Sequence, residues 1–217
     1  MTHAERAYEG IETLVIVGDL APGSLHTERE FCELLQIGRT PIREALQRLS
    51  HEGLVEFQQR RGIRIPALHV EDQLKLLQVR RVVEVMWVED ACEHATSGQR
   101  FALCKQADVL QGSVLRSKTR IEFFRNLGNA QNLLNAAAGN PFLMSSMRPI
   151  QGLSNRFWFH HAHCKDYEPY ARLHSVILRT VSAGCKIAAT SAADALVDYL
   201  LALAINAQQS LPANRID

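Results

Sequence analysis

The sequence predicts a mainly α-helical chain in two parts: three short helices closed by a β-hairpin, then an all-helical antiparallel bundle. Three observations carry that expectation. Up to about residue 66, Ala21-Pro22-Gly23, Gln36-Ile37-Gly38, Gly53 and Gly62 cut the chain into short units, because these residue types turn or break the backbone. Within that half, Leu54-Val55-Glu56-Phe57 and Ile63-Arg64-Ile65 alternate with period two, the spacing of a half-buried strand pair. Beyond Ile65-Pro66-Ala67-Leu68 the texture changes to long helical periodicity with few breakers. The expected division is residues 1–68 and 69–217, joined by a short linker.

The elements of the first part follow in order. Over residues 5–18, Ala7, Ile11, Leu14 and Val15 recur at helical spacing, the pattern of an amphipathic helix. Thr27 then offers an N-cap, with Glu30 as its capping-box partner, to a second helix ending near Leu35 and burying Phe31, Leu34 and Leu35. Ile37-Gly38 makes a tight turn. Thr40 is read as the cap of a third helix with Pro41 at its first position, where a missing N–H costs nothing. Ile42, Ala45, Leu46 and Leu49 form that helix's buried stripe, and Gly53 ends it. The two alternating runs, joined through residues 58–62, make the hairpin. Three helices followed by a hairpin is a winged helix-turn-helix.

In the second part, periodicity predicts helices over residues 70–94, 101–115, 120–138, 142–164, 170–183 and 192–208, the first repeating Leu74, Leu77, Val82, Val83, Met86 and Val88. Facing helices of such a bundle build small-molecule sites from inward side chains.

Composition narrows the function classes. Hydrophobic residues make up 47% and charged residues 22%, the balance of a soluble globular protein. The N-terminal MTHAERAYEG lacks the apolar core of a secretory signal. ALVDYLLALAINA, interrupted by Asp198, reads as too short for a bilayer span. Five cysteines without a C-x-x-C pair imply reduced thiols in a cytoplasm. The formal net charge is +1, so nucleic-acid binding has to come from a local patch rather than a basic coat.

Such a patch exists. Residues 38–64 carry Arg39, Arg43, Arg48, Arg60, Arg61 and Arg64 against Glu44, Glu52 and Glu56. The second helix of a helix-turn-helix enters the major groove by its N-terminal end, where Arg39, Thr40 and Arg43 stand. Arginine there can grip guanine O6 and N7 bidentately, and free N–H groups at the helix start suit a phosphate. Arg61 and Gly62, with Arg60, are read as the hairpin tip, close to the sugar-phosphate edge, and Arg29 reaches the same groove from the preceding helix.

Pro22-Gly23-Ser24-Leu25, Glu28-Arg29-Glu30, the run from Arg39 through Thr40-Pro41-Ile42-Arg43-Glu44-Ala45 to Leu46, Arg48-Leu49 and Glu52-Gly53-Leu54-Val55 resemble the N-terminal domain of GntR-family transcription regulators over residues 8–66. The resemblance implies DNA contacts at Arg29, Arg39, Thr40, Arg43 and Gly62. The family usually has Ser where Gly38 stands. Arg80-Arg81-Val82-Val83-Glu84, Ala137-Ala138-Gly139-Asn140-Pro141 and Leu173-His174-Ser175-Val176-Ile177-Leu178 resemble, in order, the FCD-type ligand-sensing domain of the FadR-like branch. Many such domains hold a divalent metal with an Asp and three His. Counting from Asn140 places Leu127 and Gln131 where Asp and the first His are expected, with His174 third and Tyr199 fourth. Those side chains do not supply the converging N, S or carboxylate donors that such an ion needs, so no metal or other cofactor is expected. A hydrogen-bonding effector pocket of Arg80, Gln131, His174 and Tyr199 is expected instead. Arg80 suits a carboxylate-bearing metabolite, although its place four residues before Glu84 also fits an ordinary surface pair.

The expected function is a cytoplasmic, homodimeric transcription regulator that binds double-stranded operator DNA under control of a small effector. Two rivals stand beside it: a dimeric DNA-binding protein indifferent to ligand, and a hydrolase using Cys164 or Cys104 with a nearby His. His160 and Cys164, four residues apart, would share a helix face and offer an alternative metal pair. Phe157, Trp158 and Phe159 read as core or dimer packing.

Overall fold

A reciprocal cap starts the first helix: Thr2 accepts the Glu5 N–H while the Glu5 carboxylate accepts the Thr2 N–H, satisfying two backbone donors that a helix start leaves open. In this computed structural model, which describes residues 1–116 and 119–210, the helix α1 spans His3–Val17 and ends on Gly18 in the left-handed region. It is followed by β1 (Leu25–His26), α2 (Glu28–Leu35), α3 (Arg39–His51), β2 (Glu56–Gln58) and β3 (Gly62–Arg64). α1 packs on α3, with Ala7, Ile11, Val15 and Ile16 facing a core that holds Ile42, Leu46 and Leu49, all essentially inaccessible. Each such aliphatic side chain contributes about 1.5–3 kcal/mol on leaving water.

The strands form an antiparallel sheet of order β1-β3-β2. Leu25 pairs with Arg64 and His26 with Ile63 on one side, and Phe57 pairs with Ile63 and Gln58 with Gly62 on the other. The winged helix-turn-helix is therefore present, with a third strand that alternation could not reveal in two residues.

Several local expectations are corrected. The N-cap of α3 is Gly38, with no side-chain hydrogen bond, so Thr40 and Pro41 lie inside the first turn, where proline is still tolerated because the N–H there has no intrahelical acceptor. Leu34 is 58% exposed, since α2 is only two turns long and buries Phe31 alone. Gly62 opens β3 rather than capping the hairpin; the turn is residues 59–61, with Arg60 at φ 61°.

From Val70 the chain runs as helices: α4 (Val70–His94), α5 (Ser97–Arg116), α6 (Arg120–Ala138), α7 (Pro141–His161), a single 3₁₀ turn (Cys164–Asp166), α8 (Tyr167–Ser182) and α9 (Lys186–Ser210). α4 packs chiefly on α9, and α5 on α8 and on α6, its neighbour along the chain. Arg100 fastens one end by donating to the carbonyls of Cys92, Ala95, Val181 and Ser182, terminal acceptors that α4 and α8 leave open. The buried stripe of α4 is Gln73, Leu77, Arg80, Glu84, Trp87 and Ala91. Val82 and Met86, expected in that stripe, are 68% and 52% exposed. Over Lys186–Gln209, α9 is long and apolar enough, at mean hydropathy 1.5, to meet the composition of a membrane span. Shortness therefore does not exclude one. Its Ala189, Ala193, Leu196, Val197, Leu200 and Ala204 are buried in the face that packs on α4 and α8, as in a core helix.

The chain divides into two compact units. One is Met1–His69 with Arg148–His160; the other is Val70–Met147 with His161–Asp217. The second half of α7 thus belongs to the first unit, which a cut by chain order does not foresee. Side-chain contacts explain it. Arg148 donates to the Tyr8 hydroxyl at 3.1 Å, Leu153 lies beside Gly53 and Leu54 beside Gly152, and Arg156 donates to the Pro66 carbonyl. Phe157, Trp158 and Phe159 are core. α7 ends at His161 and Cys164 starts the separate 3₁₀ turn, so His160 and Cys164 share no helix face, contrary to the spacing argument.

Candidate nucleic-acid interface and effector pocket

α3 begins without a capping side chain, because Gly38 stands at the cap with φ −65° and ψ 164° and carries no hydroxyl. Its first N–H groups remain available to an external acceptor. Arg39, Thr40 and Arg43 are exposed around that end, as are Arg29 on α2 and Arg61 in the hairpin turn; Gly62 is half-buried. Arg43 lies 3.9 Å from Glu28 and Arg29 lies 2.7 Å from Glu33. Exposed pairs of this kind hold a side chain by about 0–1 kcal/mol, which leaves both guanidinium groups available to a stronger anion. Glu30 is held below the usual carboxylate range by His26 and then by the Thr27 backbone N–H.

The local excess of arginine has a second destination. Arg48 places its guanidinium 4.0 Å from the Tyr8 ring centroid, and Arg148 lies 4.6 Å from the same ring. The Tyr8 hydroxyl lies 2.9 Å from a Glu12 carboxylate oxygen and close to one of Glu52, its single proton shared between them, and Arg48 reaches Glu52 at 3.4 Å. Burial first, and the carboxylates of Glu12 and Glu52 next, push the Tyr8 hydroxyl above its ordinary value. Arg48 is thus a structural residue of α3. Tyr8 was invisible to the sequence reading, because one tyrosine in an amphipathic helix carries no sign of a partner 140 positions away.

In the second unit, three of the four predicted pocket residues are buried and one partly so. Arg80 and Glu84 are joined at 2.8 Å with side chains 0% and 1% exposed. The i, i+4 pair therefore exists, inside the bundle rather than on its surface. Burial opposes the Arg80 charge, but Glu84 and Tyr170 more than offset it and raise its pKa further. Tyr170 meets the His174 ring edge-on at 4.7 Å and stacks on Tyr199 at 6.0 Å. The Tyr199 hydroxyl donates to the Asp166 carbonyl at 3.2 Å, so Tyr199 serves this cluster as a wall. Arg80, His174 and Tyr199 are brought together through Tyr170. Gln131 is buried on α6, which packs on α4. Tyr170 and Trp87 are not singled out by the sequence reading, and Glu84 is marked there only as a surface partner of Arg80. The spacing of Arg80, Glu84 and Trp87 at i, i+4 and i+7 was the available signal.

Along the packed helices α4, α6 and α8, several buried polar atoms have no protein partner: Glu84 Oε1, Trp87 Nε1, Gln131 Nε2, Asn135 Oδ1 and His174 Nε2. Leaving such groups unpaired costs about 1–3 kcal/mol each, which marks a place built to meet a bound molecule or water. The donors do not fit a divalent ion: Leu127 is apolar core, and among the described residues no three His, Cys, Asp or Glu side chains form a metal-binding group.

Burial, and then the Arg80 charge, drive the His174 imidazole down to about 3. A base whose folded pKa lies below its unfolded value loses stability as pH falls, because only the unfolded chain takes up the proton. Between pH 6.5 and about 3 this contribution falls by roughly 1.4 kcal/mol per pH unit. Urea unfolding as a function of pH is expected to show the wild type losing about 2 kcal/mol between neutrality and pH 5 relative to His174→Gln; parallel pH profiles would place His174 in contact with water.

The comparisons with known proteins agree with this geometry. Residues 3–65 match the family model described as bacterial regulatory proteins, gntR family, and residues 75–199 match the FCD domain. The HTH-type transcriptional regulator YdhC of Bacillus subtilis is 23% identical over 146 residues, covering 67% of this chain and 65% of that protein, so the match spans just under two thirds of that relative. The fold is shared with E. coli McbR/YncC at TM-score 0.79 and 16% identity, covering 96% of this chain and 99% of that one. It is shared also with a GntR-type regulator from Rhodococcus sp. RHA1 at TM-score 0.71 and 20% identity, covering 95% and 99%. With a winged head ending near residue 65 and an FCD helical domain over most of the remainder, the chain belongs to the gntR family of bacterial regulatory proteins.

Proposed function

We propose that the chain is a cytoplasmic transcription regulator that binds operator DNA as a homodimer and releases or tightens its grip when a small metabolite enters the helical domain. The observation that carries the reading is the uncapped start of α3 ringed by the exposed Arg39, Thr40 and Arg43. In this reading those side chains, with Arg29, meet bases and phosphates in the major groove, and Arg61 and the backbone at Gly62 meet the neighbouring backbone. Two heads reading matched half-sites require a dimer. Val79, Val82 and Met86, at i, i+3 and i+7 of α4 and each more than half exposed, form an apolar stripe suited to a second copy. The effector is read as carboxylate-bearing, from Arg80, and sits among Arg80, Gln131, His174 and Tyr199. It controls DNA affinity to the extent that it prefers one arrangement of the heads, and the coupling is reciprocal.

A mobility-shift titration tests the DNA reading. Arg43→Ala is expected to cost about 1–3 kcal/mol on the operator and far less on unrelated duplex; equal losses on both would confine Arg43 to phosphate. Arg61→Ala is expected to reduce the slope of log affinity against log salt by about one unit, and an unchanged slope would take the hairpin turn out of the interface. Retardation that no metabolite alters would favour a constitutive DNA-binding protein.

A further inference from the structure

The interior of the second unit already contains one charge of each sign, and that arrangement says something about what it binds. Glu84 holds Arg80 at 2.8 Å and both side chains are fully buried, so the arginine does not present an uncompensated positive charge. The other oxygen of the same carboxylate, Glu84 Oε1, has no protein partner. A simple organic anion placed against Arg80 would meet that oxygen as a like charge, in surroundings where screening by water is weak. Two unpartnered N–H donors lie on the same two packed helices, Trp87 Nε1 one turn further along α4 and Gln131 Nε2 on α6. His174, fully buried and held neutral by burial and by Arg80, adds no charge. The site thus presents a negative acceptor and neutral donors, with a total charge of zero from Arg80, Glu84 and His174.

We infer that the effector is a small zwitterion of α-amino-acid type, its ammonium group received by Glu84 Oε1 and its carboxylate by the N–H groups of Trp87 and Gln131 within reach of Arg80. This inference rests on the effector reading above and narrows it: the carboxylate is kept, and a cationic donor next to it becomes a requirement. Charge-assisted hydrogen bonds at both ends of the ligand supply the selectivity. A bare acid leaves Glu84 Oε1 unanswered, and a bare amine leaves the two N–H donors unanswered.

Thermal melting of the full chain tests it, using three sets of probes: the L-α-amino acids, the matching acids without the amino group, and the matching amino-acid amides. At least one amino acid is expected to raise Tm by roughly 5–10 °C at a hundred times its Kd, while its deaminated acid and its amide leave Tm within about 1 °C. Glu84→Gln is expected to weaken that binding at least about tenfold. Because Glu84→Gln disturbs a buried pair, Trp87→Phe serves as the second variant: it keeps the ring packing, removes one N–H, and is expected to weaken binding by about tenfold. Protection by deaminated acids equal to or stronger than that by the amino acids would overturn the zwitterion and leave the effector pocket standing. Protection by no probe of any set would overturn both, and would make the cluster a polar core satisfied by water.

Discussion

Arg80→Ala is expected to lower the stability of the helical unit by about 3–5 kcal/mol. The substitution leaves the Glu84 carboxylate buried at 1% exposure with its counter-charge gone, and adds the space of a long side chain removed from a packed interior. The paired change Arg80→Met with Glu84→Leu removes both charges at similar volume, and is expected to recover most of the loss, since a buried ion pair is weak net stabilisation but costly to break in half. Urea unfolding followed by far-UV circular dichroism reads both. A double variant as unstable as the single one would mean that the cost comes from packing rather than from the orphaned charge. A single variant within about 1 kcal/mol of wild type would mean that water reaches Glu84.

Gly62→Ala is expected to disable the wing. Gly62 has φ +101°, and a Cβ there would lie 2.4 Å from the backbone carbonyl oxygen of His26. The obstruction is main chain, in β1, one residue before the Thr27 cap of α2, so a side-chain adjustment cannot relieve it. Strain at positive φ and the forced separation of β1 from β3 together cost roughly 2–4 kcal/mol. Operator affinity is expected to fall with loss of the sheet register, visible as exchange of the Ile63 amide. The contrast with Arg61→Ala separates structure from contact: Arg61→Ala is expected to keep the melting temperature and change only the salt slope. If Gly62→Ala melted like wild type and lost only DNA binding, the glycine would serve the duplex instead of β1.

Both predictions concern positions that the sequence marked as important for a different reason from the one that the structure gives. Arg80 is legible in the sequence both as a candidate anion anchor and as a surface partner of Glu84, and the structure shows that pair inside the bundle. Its partner is Glu84, and nothing in an i, i+4 spacing distinguishes a solvated pair from a buried one. Gly62 is legible as a glycine whose bare backbone suits an approach to the sugar-phosphate edge, and the close approach in the structure is that of β1. That strand was missed because two residues have no periodicity. Thr-Pro reads as a cap and first helical position, whereas the helix begins two residues earlier, at Arg39 on a glycine cap, a shift within the usual imprecision of helix ends.

By itself the sequence determined the features that depend on neighbours along the chain. Residues 70–94 and 120–138 were marked as helices and are α4 and α6 to the residue. Ile42, Ala45, Leu46 and Leu49 were the buried stripe of α3 before any contact was known, and the turn residues separated a winged head from a helical remainder. These follow from helical period, turn chemistry and backbone preference, which act over a few residues. The tertiary structure decided what depends on long-range contacts and on loss of water. It placed the second half of α7 with the head through Tyr8 and Arg148, which are 140 positions apart, and turned Val82 and Met86 outward while drawing Arg80, Glu84 and Trp87 inward on the same helix. It also shifted the His174 pKa. Burial sets both which face of a helix is the inner one and what a charge costs there, and burial is a property of the assembled molecule.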